Sequence, residues 1–136
     1  MADEAFVNNS GQGENIVVPE NVSDNFNWGA FLLTWIWGLG NKTYITLLML
    51  LTVVLVFIPF VNLVSGIAQI ALAIWFGIKG NEWAWKNKKF ASVEAFHEYQ
   101  KKWAIAGTIL AVLGILIGII LAFIIIVAAV SGAAVE

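Results

Sequence analysis

From Ile109 to Val130 the chain runs without one polar side chain. Sixteen of these residues are Ile, Leu, Val or Phe, and the other six are Gly or Ala. As a helix the run is about 33 Å long, matching a bilayer hydrocarbon core of about 30 Å. At roughly −0.3 to −0.6 kcal/mol for each large apolar side chain, insertion is favoured by about 5–10 kcal/mol. Its many β-branched residues do not argue for a strand, because lipid offers no partner for unpaired strand backbone. The run predicts a transmembrane helix, with flanks that extend it to 104–130.

The rest of the chain fits a lipid solvent. Of 136 residues, 60% are hydrophobic and 12% charged, and the mean hydropathy is +0.85. A soluble domain carries about a quarter charged residues. Cysteine is absent, which excludes disulfides, zinc–thiolate sites, thiol nucleophiles and cysteine lipidation. The N-terminal segment, 1–25, holds Asp3, Glu4, Glu14, Glu20 and Asp24 and no base, the opposite of a secretory signal's basic start.

Thr43–Ile78 is a second long apolar stretch. One helix of that length would reach about 54 Å, too long even at a tilt of about 40°. Pro59, Asn62, Ser65 and Gly66 fall near its middle. The stretch therefore predicts a helical hairpin, 43–58 and 63–78, with a turn at 59–62. Trp28–Leu39 is apolar and aromatic but only about 18 Å long as a helix, and Gly38-Leu-Gly40-Asn41-Lys42 stops it. Segment 28–40 is expected to lie in the interface or dip in as a partial helix. Segment 1–25 reads as a disordered or loosely ordered acidic tail; a short docking segment at Ile16-Val-Val-Pro is the lesser alternative to a plain tail.

The span 79–102 is the extended polar region after the tail. Its second half reads as an amphipathic helix. Ser92 is the N-cap, and Lys101 and Lys102 lie in the last turn. Val93, Phe96, Tyr99 and Trp103 share one face, and Glu94, His97, Glu98 and Lys101 the other. The predicted fold class is thus an all-α membrane protein: a helical hairpin plus one further transmembrane helix, with interfacial amphipathic helices.

All seven basic residues are lysines: 42, 79, 86, 88, 89, 101 and 102. In a three-span topology all lie on one side. The positive-inside rule then puts the N-terminus and the 79–102 loop in the cytoplasm and the C-terminus outside. All seven tryptophans fall near that same interface, whereas an aromatic belt ordinarily occupies both. Gly40-Asn41 leads into the hairpin and Gly80-Asn81 leads out of it. They read either as two glycine-capped helix ends or as two corners that pack together, their Asn side chains bonding freed backbone groups.

The Trp/Lys layer supplies the candidates for binding anionic lipid or a protein partner: Trp83, Trp85, Lys86, Lys88, Lys89, Phe96, Lys101, Lys102 and Trp103. Near a membrane surface each Lys contributes about 1 kcal/mol toward anionic lipid. Gly114, Gly118 and Ala122 form one small-residue ridge, and Ser65, Gln69, Ala73 and Gly77 a second. Such ridges serve either helix packing within one chain or homo-oligomerisation. Gln69, the strongly polar side chain inside a span, is expected to bond across helices. His97 is the single histidine and has no second His for a metal. No catalytic constellation, phosphate loop or metalloprotease motif is present. No cofactor, metal or nucleic-acid partner is expected.

Two stretches carry a resemblance. One is Phe26-Asn-Trp-Gly-Ala-Phe continuing through Trp35-Ile-Trp37 to Tyr44. The other is Gly77-Ile-Lys-Gly-Asn-Glu-Trp-Ala-Trp85 continuing to Phe90, Phe96 and Gln100-Lys-Lys-Trp103. Over Phe26–Gly107 the chain resembles small bacterial membrane proteins of domain-of-unknown-function families with an Asn-Trp-x-Ala-Phe opening. Some members carry a "ribonuclease G" label, but this chain has no acidic metal-binding cluster and no soluble RNA-binding domain. The resemblance implies a bacterial cytoplasmic membrane and no particular activity. The expected function is a non-enzymatic scaffold or adaptor presenting its Trp/Lys face. The alternative is a small oligomeric channel- or transporter-like protein.

Overall fold

A computed structural model describes residues 7–133, with no strand among them. Asp3, Glu4 and Glu136 lie outside that range. The elements are α1 (Glu20–Ser23), α2 (Trp28–Gly40), a 3-10 turn (Tyr44–Leu47), α3 (Leu48–Leu55), α4 (Asn62–Asn87) and α5 (Val93–Ala133). Two helices, α4 and α5, are long and apolar enough to cross a membrane.

α5 joins what the sequence separates. The amphipathic segment and the 104–130 run form one helix of 41 residues, about 61 Å long. Ser92 caps it as expected, accepting from the Ala95 N–H at 3.1 Å. No proline lies between Trp103 and Ile109, and Gly107 stays helical where the Leu32 side chain packs on it. Val93 and Phe96 are buried and Glu94 and Glu98 exposed, which follows the predicted faces.

α4 also runs further than expected. The predicted helix 63–78 continues through Gly80-Asn81 to Asn87. Gly80 is not a cap. A Cβ there would stand 2.8 Å from the Ala30 side chain, so the glycine lets α2 approach a helix that passes straight by. The turn before α4 covers 56–61, overlapping the predicted 59–62 but beginning earlier, and Phe60 carries its positive φ of 68°. The first arm differs: 43–58 is the 3-10 turn plus the short α3, not one straight helix. α2 and the 44–55 segment together are long and apolar enough for one span but bend by 118°.

α2 has the predicted limits and an unpredicted shape. Thr34 interrupts it with φ 42° and ψ −108°, a strained conformation for a β-branched residue. The two halves double back. One side chain, Gln100, hydrogen-bonds both Asn27 before the helix and Asn41 after it. A straight helix of this length would hold those residues about 20 Å apart. α2 is therefore a bent wedge packed against α4 and α5, burying Gly29, Ala30, Leu33, Trp37 and Gly38.

The N-terminal segment is not loose from residue 7 on. The Gly11 N–H donates to the Trp85 carbonyl at 2.7 Å and the Gly13 N–H to the Lys86 carbonyl at 3.0 Å. Asn8 Nδ2 donates to the Phe90 carbonyl at 2.7 Å. Gly11 has φ +74°, and a Cβ there would meet the Lys89 nitrogen at 2.8 Å. Ile16 and Val18 pack against the core and Val22 is fully buried. The segment is a strap over the end of α4, held by backbone and amide bonds that need no apolar run.

Candidate functional site

The polar end of the molecule is organised around a chain of buried amides. Asn27 opens α2, and its Oδ1 accepts from the Ala30 N–H at 2.8 Å. Its Nδ2 donates to Asn81 Oδ1 at 2.7 Å and to Gln100 Oε1 at 3.0 Å. Gln100 Oε1 also accepts from Trp37 Nε1 at 2.9 Å, and its Nε2 donates to Asn41 Oδ1 at 2.7 Å. Asn81 Nδ2 donates to the Asn25 carbonyl at 2.8 Å, and Asn41 Nδ2 to the Trp37 carbonyl at 2.9 Å. Four buried amides thus tie α2, α4 and α5 together. Among the described residues no buried side-chain polar atom lacks a partner, as a buried polar network requires.

The Asn41 and Asn81 side chains each bond a backbone carbonyl, as the second alternative expects, but the corners do not touch: Asn27 and Gln100 link them. Asn27 and Gln100 are the members of the network that sequence reasoning does not single out. For Gln100 the signal is its position: four residues after Phe96 and three before Trp103, it sits on the apolar face of an amphipathic helix.

Above the amides lies an aromatic core. Trp85 stacks on Phe90 (6.1 Å, 8°) and meets Phe96 edge-on at 5.5 Å. Trp85 and Phe96 are fully buried, so neither is a docking residue. Trp103 is partly buried and fills the space over Gly29 and Gly40. Trp83 packs edge-on against Trp75 at 5.1 Å.

Most lysines of the predicted layer are engaged inside the fold. Lys86 pairs with Glu82 at 2.9 Å and Glu14 at 3.6 Å. Lys79 holds the other Glu82 oxygen at 2.9 Å. Hydrogen bonds from Lys79 and then Lys86 keep the Glu82 carboxyl below its ordinary range, and Glu82 raises Lys86 in return. These groups lie past the apolar 62–78 part of α4. Lys88 Nζ donates to Tyr99 Oη at 2.7 Å and to the Gly40 carbonyl at 3.1 Å. It thereby places a cation at the C-terminal end of α2. Lys89 donates to the Asn8 carbonyl at 3.3 Å. Lys42, Lys101 and Lys102 are exposed and, among the described residues, make no ion pair or side-chain hydrogen bond.

The two small-residue ridges do not face each other. Ser65 Oγ donates to the Thr52 carbonyl, and Gln69 Nε2 donates to it at 3.5 Å, so that ridge seats α3. Gly77 is covered by the Phe26 ring, and Ala73 is half-buried. A Cβ on Gly114 or Gly118 would meet nothing within 4 Å, and Ala122 is exposed. Packing of α5 on α4 through these residues is ruled out within one chain: the two helices touch at their polar ends, where Trp85 meets Phe96, and α5 runs on past the bundle before Gly114. Gln69 does bond across helices, as expected.

No protein-family model, curated protein or solved structure matches the chain. Among the described residues no three His, Asp or Glu side chains stand close enough to hold a metal. The arrangement offers a cleft where the amides reach the surface, with His97 and Lys101 at its rim.

Proposed function

We propose that the chain is a non-enzymatic integral membrane protein of the bacterial cytoplasmic membrane. α4 and α5 anchor a folded Trp/amide layer at the cytoplasmic face, and this layer presents its exposed lysines to anionic lipid or a protein partner. One observation carries the reading: in α5, the longer and more apolar of the two candidate spans, the spanning window buries nothing inside the protein. That surface needs lipid around it. The lysines follow at its polar end, which supports the orientation.

Single cysteines test it cleanly, since the chain has none. Val17 is 86% and Phe60 96% exposed, and Lys102 is exposed too. In intact cells a membrane-impermeant maleimide is expected to label Phe60→Cys, and to reach Val17→Cys and Lys102→Cys only after permeabilisation. Labelling of Phe60→Cys and Lys102→Cys from the same side, or extraction of the protein by carbonate, would overturn the reading.

A second reading, a small oligomeric channel- or transporter-like unit, is favoured by the open Gly114/Gly118 ridge on α5. It expects crosslinked oligomers in membranes that disappear in Gly118→Leu. A protein that is monomeric with and without that change, with equal ion leak, removes it.

A further inference from the structure

Two neighbouring clefts share the wall formed by Trp28, Lys101 and Ala104. The first, about 220 Å³, is lined by the buried Asn27, Asn81 and Gln100 together with His97. The second, about 450 Å³, continues along α5 past Ile105, Thr108 and Ile109. Together they make one groove, polar at one end and apolar at the other. Lys101 sits at the change, where α5 passes from its amphipathic to its apolar part.

The polar end has the chemistry of an anion site. No carboxylate lines it. Asn81 Nδ2 and Gln100 Nε2 each spend one hydrogen, on Asn25 and Asn41. Each keeps a second that no group among the described residues accepts. Lys101 is unpaired in the same sense. The lining amides are nine-tenths buried or more and prearranged by their own network, so they bind without being reorganised. The apolar end offers exposed Ile105 and Ile109 beside Trp28, itself 56% exposed.

We infer that this groove binds one anionic phospholipid, its phosphate against Lys101 and the Asn81/Gln100 amides and an acyl chain along Trp28, Ile105 and Ile109. The inference rests on the membrane reading above and commits to a lipid because both ends of the groove are used. A soluble phosphate would use only the first. The polar end points to the lysine-rich side and the apolar end into the apolar run, the orientation a lipid in that leaflet already has.

The test uses the full chain purified in mild detergent, with binding of fluorescent phosphatidylglycerol measured and native mass spectrometry counting bound lipids. Carbonate extraction and flotation are run on every variant. One tightly held phosphatidylglycerol is expected, with phosphatidylcholine at least tenfold weaker. Lys101→Glu is expected to weaken phosphatidylglycerol about tenfold or more, and Lys102→Glu, one residue away but off the groove, less than twofold. Ile105→Lys is expected to weaken it as well, because a charge there blocks the acyl chain. Glycerol 3-phosphate at millimolar concentration is expected not to compete. Competition by it would replace the lipid with a soluble phosphate ligand. Equal effects of Lys101→Glu and Lys102→Glu would reduce the groove to general surface charge, and equal binding of both lipids would remove its selectivity for an anionic headgroup; either result overturns the inference. A chain that fails extraction and flotation fails the membrane reading instead, and those assays report it separately from lipid binding.

Discussion

Gln100→Leu is expected to destabilise the fold strongly, measured on the full chain in detergent by thermal or denaturant unfolding. The change removes one side chain and strands three groups: the Trp37 indole N–H, one Asn27 amide hydrogen and the Asn41 oxygen. Each buried group left without a partner costs about 1–3 kcal/mol, so the three together cost at least about 3 kcal/mol. Whole domains are stable by about 5–15 kcal/mol, so the loss should be visible as partial unfolding or a large midpoint shift. Trp37 sits in the network and is fully buried, so its indole N–H resonance, resolved by NMR from those of the other six tryptophans, reports the loss locally. Lys102→Leu, on the same helix and exposed, is expected to stay within about 0.5 kcal/mol. A double-mutant cycle with Asn41→Leu should show strong coupling, since the two residues bond directly. If Gln100→Leu were as stable as the parent, the amides would not be what holds the bent α2 between α4 and α5.

The same network explains what is legible in the sequence and what is hidden. Long apolar runs and periodic faces are local, so a turn overlapping 59–62, the limits of α2, the Ser92 cap and the 104–130 helix can be read directly. The amide bonds are not local. Asn27 and Asn81 lie 54 residues apart, Trp37 and Gln100 lie 63 apart, and Asn27 and Gln100 lie 73 apart. A polar residue read alone looks like surface or corner, and Gly80-Asn81 reads as a helix end. Only when α2 arrives do the missing glycine side chain and the inward amide become reasons for α4 to continue. Lysines mislead in the same way. The cluster 86, 88, 89 suggests a free basic face, yet Glu82, Tyr99 and the carbonyls of Gly40 and Asn8 engage all three. The strap escapes a sequence reading because its grip is main-chain and amide bonding by Asn8, Ser10 and Gly11, residue types that composition assigns to loose tails.

Trp85→Ala is the second large effect, about 3–5 kcal/mol of lost stability. Trp85 has no exposed surface, stacks on Phe90 and meets Phe96 edge-on. Truncation opens a cavity that the helices cannot close, because Ala84 and Gly80 on the same helix are already buried in close packing. It also removes the indole N–H that Asn9 Oδ1 accepts at 2.9 Å, and Asn9 belongs to the strap. The loss should therefore appear in two places: a lower unfolding midpoint, and earlier protease cleavage within the 7–18 segment under conditions where the parent chain is protected. Trp83→Ala, on the partly exposed neighbour at the Trp75 contact, should move the midpoint less and leave the strap protected. This difference decides how binding experiments are read. A partner or lipid lost on Trp85→Ala would report a damaged core, whereas loss on Trp28→Ala or Lys101→Glu, both exposed and outside that core, would report the surface itself. Unchanged midpoint and unchanged protease protection in Trp85→Ala would remove Trp85 from the core and return it to the docking face.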